Sequence, residues 1–117
     1  MLSAVPVLSH AGSPPLLKLG VLCNERRRRW RERLREYYAQ FAPKVSVRFI
    51  LSSEWIQRHA AQPDEMGVLV GHERDQHCAH KMVGWWSGVG HEPATFYAKT
   101  DDDALLDLAR LGVDDPD

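Results

Sequence analysis

The chain has little cysteine, no long apolar run and almost no net charge, and each absence narrows what it can be. Two cysteines in 117 residues, Cys23 and Cys78, are too few for a disulfide-stapled scaffold, so both read as buried thiols. No stretch approaches the ~18 consecutive apolar residues of a membrane span. The apolar opening, residues 1–8, lacks basic residues and is interrupted by Pro6, which argues against a secretory signal. There is no Gly-rich phosphate loop and no Gly-x-Ser-x-Gly elbow. His72, His77, Cys78 and His80 are a poor zinc set, because the last three fall within one helical turn and do not converge. What remains is 44% hydrophobic and 26% charged, the balance of one globular domain.

The net charge of −1 conceals a polarity: residues 1–59 carry +7 and residues 60–117 carry −8. Seven arginines lie between positions 26 and 35, and seven aspartates follow Thr100. The arginine run reads as a solvated helix face whose intrahelical partners are Glu25, Glu32 and Glu36, so nucleic acid is not the expected partner.

Hydrophobic periodicity alternates along the chain. Residues 16–23 are an almost wholly apolar run, as in a strand buried on both faces. Asn24 offers a helix cap, and Trp30, Leu34, Tyr37, Tyr38 and Phe41 then form one helical stripe. Residues 45–52 are β-rich, with Val45, Val47, Phe49 and Leu51 on one face. A short helix starts at residues 53–55 and fails by Pro63, and residues 66–70 suggest a third strand. Cys78, Met82, Trp85 and Trp86 mark a helix over 75–86 with Gly84 as its weak point. A strand over 94–99 and a helix over 103–111, closed by Gly112, complete the series.

Strand–helix alternation with short links predicts an α/β fold, a Rossmann-like, mainly parallel sheet flanked by helices. Its expected core holds Trp30, Leu34, Phe49, Val68, Met82, Trp85 and Phe96. Residues 1–15 read as a loose leader, residues 16–112 as the domain and residues 113–117 as an acidic tail. In such sheets ligands bind off the carboxyl ends of the strands. That rule selects Asn24 with the start of the arginine helix, Ser52 with Ser53, and Asp101, Asp102 and Asp103. Three adjacent carboxylates repel one another. They read either as a helix cap or as a divalent cation site of hard oxygen ligands suited to Mg²⁺ or Mn²⁺.

Taken in order, Leu19-Gly20-Val21-Leu22-Cys23, Arg31-x-x-Leu34-Arg35-x-Tyr37-Tyr38, Val47-Arg48-Phe49-Ile50-Leu51 and Lys99-Thr100-Asp101-Asp102-Asp103 resemble the β-1,3-galactosyltransferase-like family, which includes Fringe-type enzymes. The resemblance covers about residues 17–111. It implies the amino-terminal half of a GT-A fold and a metal-dependent hexosyltransferase, galactosyl- or N-acetylglucosaminyl-type, that moves a sugar from a UDP-sugar to a glycan or glycoprotein acceptor. By the same resemblance Asp103 is the main Mn²⁺ ligand, Asp101 lies by the ribose or a metal-bound water, and Asp102 supports the turn. Arg35 borders the nucleotide, and Lys81 is structural or donor-facing. Family members work in the Golgi membrane, whereas no anchor is recognisable in these residues. The family's acceptor half and general base follow the metal motif. Only fourteen residues follow Asp103, so the base is expected beyond Asp117. Two alternatives stand beside this reading: an inactive nucleotide-sugar- or partner-binding remnant, and an unrelated α/β domain whose arginine helix engages RNA or acidic proteins.

Overall fold

In the computed structural model, residues 14–89 and 91–113 are described; most of the expected leader and residues 114–117 of the acidic tail lie outside them. Four strands, β1 (Leu17–Leu22), β2 (Val45–Ser52), β3 (Glu65–Val68) and β4 (Phe96–Asp101), form one sheet in the order β3-β2-β1-β4. Every pairing is parallel, so the α/β expectation holds. Three helices connect the strands: α1 (Arg28–Ala39), α2 (Ser53–Arg58) and α3 (His77–Val89), the last preceded by a 3₁₀ turn at Arg74–Gln76.

Alternation along the strands creates two cores. Leu17, Leu19 and Val21 of β1 and Val45, Phe49 and Leu51 of β2 face α1, where they meet Leu34 and Tyr38. Leu22, Ile50 and Val68 face the other way, onto Trp85 and Val89 of α3. Burial on both faces explains why β1 reads as a continuous apolar run.

Both long helices are rotated from the stripes the sequence suggests. In α1 the buried residues are Arg31, Leu34 and Tyr38, while Trp30, expected inside, is 40% exposed. In α3 they are Lys81, Trp85 and Val89; Met82 is 40% exposed and Cys78 lies at the surface. Two glycines explain the second rotation. A Cβ on Gly20 would lie 2.6 Å from the Trp85 ring, and one on Gly84 would lie 2.4 Å from Val68 Cγ1. Gly84 therefore faces the sheet and lets the helix close on it. Phe96, the remaining misplaced core residue, is 61% exposed on the edge strand β4.

The expected last helix over 103–111 is a series of turns. Leu106 lends its backbone to side chains of α1 instead: its N–H donates to Tyr38 Oη at 3.2 Å, and its carbonyl accepts from Tyr37 Oη at 3.2 Å. Leu108 and Val113 still reach the first core, and Gly112 turns the chain at φ +91°.

Gly20→Ala should lower stability by about 1–3 kcal/mol through overpacking against Trp85. Gly84→Ala should do the same, and Val68→Ala should restore part of that loss by clearing the space a new Cβ needs. Urea melts of the three single variants and of the Gly84→Ala/Val68→Ala pair test this; additive losses in the pair would contradict the packing.

Candidate functional site

The strand order places a topological switch point between β1 and β4. From β1 the chain winds outward through β2 to β3 with α1 and α2 on one face, then crosses beneath the sheet through α3 to reach the far side of β1. The loops after β1 and β4 both leave toward the α1 face and so lie side by side at the carboxyl edge, the place of the ligand crevice in such sheets. Asn24 and Arg27 lie on one lip, and Asp101, Asp102 and Asp103 on the other.

Hydrogen bonds tie the lips together. The Asn24 N–H donates to Asp102 Oδ2 at 2.8 Å, and the Asp102 N–H donates to the Leu22 carbonyl at 3.0 Å. Arg27 Nη1 lies 3.5 Å from Asp102 Oδ1 and 4.0 Å from Asp103 Oδ2. Burial raises the Asp102 pKa, against the pull of the Asn24 N–H and Arg27. Asp102 is thus a buried brace for the turn. Asp101 and Asp103 stay open, with side chains 54% and 63% exposed; the nearest cation to Asp101 is Lys99 at 3.9 Å. These two are the exposed carboxylates at this edge, each already beside a cation. Among the described residues no three His, Cys, Asp or Glu side chains gather to hold a metal. The two aspartates therefore fit Mg²⁺ or Mn²⁺ only as part of a shell completed by a ligand's oxygens and water.

The second selected place, Ser52, belongs to the same edge. Ser52 Oγ accepts the Trp55 N–H at 3.2 Å and caps α2, while the Ser52 N–H donates to Glu25 Oε2 at 2.7 Å. Lys81 links the first two of these places. Its ammonium donates to the Cys23 carbonyl at 2.6 Å and to Glu25 Oε2 at 2.8 Å, with the side chain only 4% exposed. Burial opposes ionisation of Glu25, but the hydrogen bonds from Lys81 and Ser52 outweigh it, and the Glu25 pKa falls. Beside them burial and Asp102 push the Cys23 thiol up to about 12, so it stays protonated. Asn24 does not cap α1; its Oδ1 accepts the Arg26 N–H at 2.9 Å in the turn before the helix.

Arg35 is not brought to the crevice. Its Nε and Nη2 donate to Asp64 at 2.6 and 2.9 Å, Nη2 also reaches Glu65 at 3.0 Å, and the guanidinium lies over the Phe49 ring. Arg31, one turn earlier and 1% exposed, donates to the same Glu65 at 3.3 Å and lies over Trp55. Sequence reasoning placed both on a solvated flank. The missed signal was the acidic pair Asp64-Glu65 immediately before a strand that must pack beside this helix. His77 and His80 hold the turn before α3: His77 Nε2 donates to the Gly71 carbonyl at 2.8 Å, and His80 Nδ1 accepts the Gly71 N–H at 3.0 Å.

Lys81→Met should destabilise the fold by about 3 kcal/mol, because it strands a carboxylate and a buried carbonyl. Since the Glu25 pKa is depressed, the contribution of that pair is present above the ordinary 4.5 and is lost as pH falls through the lower folded value. The difference between variant and parent should therefore narrow on acidification, which melts across pH can follow; a parent-like melt at neutral pH would remove Lys81 from this role. No protein-family model, no curated protein and no solved structure matches the chain.

Proposed function

We infer that this chain forms the donor-binding part of a metal-dependent hexosyltransferase resembling the β-1,3-galactosyltransferase-like and Fringe-type enzymes. Its donor is a UDP-sugar and its acceptor a glycan or glycoprotein, with the Golgi as the compartment the resemblance implies. Among the described residues no helix is long and apolar enough to cross a membrane. The observation that carries the reading is the position of the aspartates. They stand at the β1/β4 switch point, where a parallel sheet receives a nucleotide, with two carboxylates open and the third holding the turn.

The residues divide the work by burial. Asp102 fixes the turn through Asn24, which positions the backbone that carries Asp101 and Asp103. Lys99 and Arg27 reduce the repulsion among the three carboxylates from opposite sides. Arg27, half exposed, also offers a planar donor to an incoming diphosphate. A divalent cation on Asp101 and Asp103 would stabilise the charge of the departing nucleotide diphosphate as a Lewis acid.

Mn²⁺ with UDP should raise the melting temperature. At a hundredfold excess over Kd the stabilisation is ~2.7 kcal/mol, which moves the midpoint by several degrees in a domain of this size. Asp103→Ala should abolish the shift and Asp101→Ala should weaken it, while Arg28→Ala, on the exposed side of α1, should leave it intact. A folded parent with no shift would reject the donor site, and a full shift in Asp103→Ala would reject the metal assignment.

A further inference from the structure

The arginine run divides into two groups. Arg31 and Arg35 turn inward onto Asp64 and Glu65, and Arg27 spans the crevice to Asp102 and Asp103. Arg26, Arg28, Arg29 and Arg33 are exposed, and none has a carboxylate within 4.0 Å among the described residues. The acids expected to neutralise them are engaged elsewhere. Glu25 is held by Lys81 and the Ser52 N–H, and Glu32 by Arg35 and Gln62. Glu36 makes no ion pair among the described residues and shares this outer face, so four arginines stand there against one unpaired carboxylate.

We propose that this outer face of α1 binds a single-stranded nucleic acid, an inference independent of the donor-site reading. Arg29 and Arg33 are one helical turn apart, ~6 Å along the axis. Arg26 precedes the helix and Arg28 stands on the flank away from Arg33, and they add one or two contacts at the entry turn, so the face can contact three or four phosphates. Arginine suits that task because its planar fork matches phosphate oxygens. Trp30, 40% exposed beside Arg29, supplies an aromatic face on which a base can stack. The basic face is also narrow. Glu32 and Glu36 share the surface of the helix, and Asp101 and Asp103 bound it at the crevice, which disfavours a broad duplex. A membrane surface is disfavoured as well, since the apolar stripe of α1, with Leu34 and Tyr38, is buried against the sheet and cannot enter lipid.

The test is fluorescence anisotropy of a short labelled single strand with the full chain over a salt series. With three or four phosphate contacts the log–log salt slope should be about −2 to −3, so a fourfold rise in salt weakens binding roughly 20- to 50-fold. Arg29→Gln/Arg33→Gln should weaken binding and reduce the slope by about 1.4. Trp30→Ala should weaken it about tenfold at an unchanged slope. Arg58→Gln, an exposed arginine on α2, should alter neither. Circular dichroism checks that each variant is folded. Failure of the folded parent to bind at low salt would overturn the proposal, as would a slope that survives the double substitution. So would equal binding of a duplex, heparin or anionic lipid vesicles together with no effect of Trp30→Ala.

Discussion

One ammonium group organises the carboxyl edge of the sheet. Lys81 enters from α3, below the sheet, and bonds the Cys23 carbonyl where β1 ends and Glu25 where the chain turns toward α1. Glu25 in turn holds the Ser52 N–H at the end of β2. A single buried charge thus joins both helical layers to the two central strands. The cost of burying an ammonium is offset because its partners include a carboxylate and a carbonyl with no other side-chain donor among the described residues. The crevice depends on this arrangement, since Asn24, whose N–H braces Asp102, sits between Cys23 and Glu25.

A second charged layer fixes the first two turns of α1. Arg31 and Arg35 meet Asp64 and Glu65 at the entrance to β3, and the guanidiniums also lie over Trp55 and Phe49. Burial works against the Arg35 charge, but the two hydrogen bonds to Asp64 more than compensate and hold it firmly protonated. The helix is anchored by charge at Arg31 and Arg35 and by Leu34 and Tyr38 in its middle and last turn, and its remaining arginines are left on the outside.

Strands were more legible in the sequence than helix orientations. The apolar run of β1 and the alternation of β2 lead directly to the observed pairing, and Leu34, Phe49, Val68 and Trp85 are buried as expected. Helical stripes misled because hydrophobicity was taken as the mark of burial. Arg31 and Lys81 occupy inward positions once their acids are counted, and this displaces Trp30 and Met82 outward. The pairing of Lys81 with Glu25 spans most of the domain and leaves no local signature. Turn support by Asp102 came only with the family resemblance, since its bond to Asn24 spans 78 residues and leaves no local signature. Arg35 was tied to a site by motif resemblance, whereas its surroundings depend on where Asp64 falls in the folded sheet.

The strand order also dictates when the molecule can become complete during synthesis. Leu17 at the start of β1 pairs on one side with Val45 and on the other with Phe96. The unit formed by β1, α1 and β2 can assemble as soon as its own residues have emerged. The second flank of β1 then waits until residues 96–101 have emerged, so a long-range loop closes last and slows folding. In that interval the central strand carries an unsatisfied edge, a template for pairing with other nascent chains. Ribosomes spaced along one message would therefore present the most adhesive strand of this protein in its least protected form.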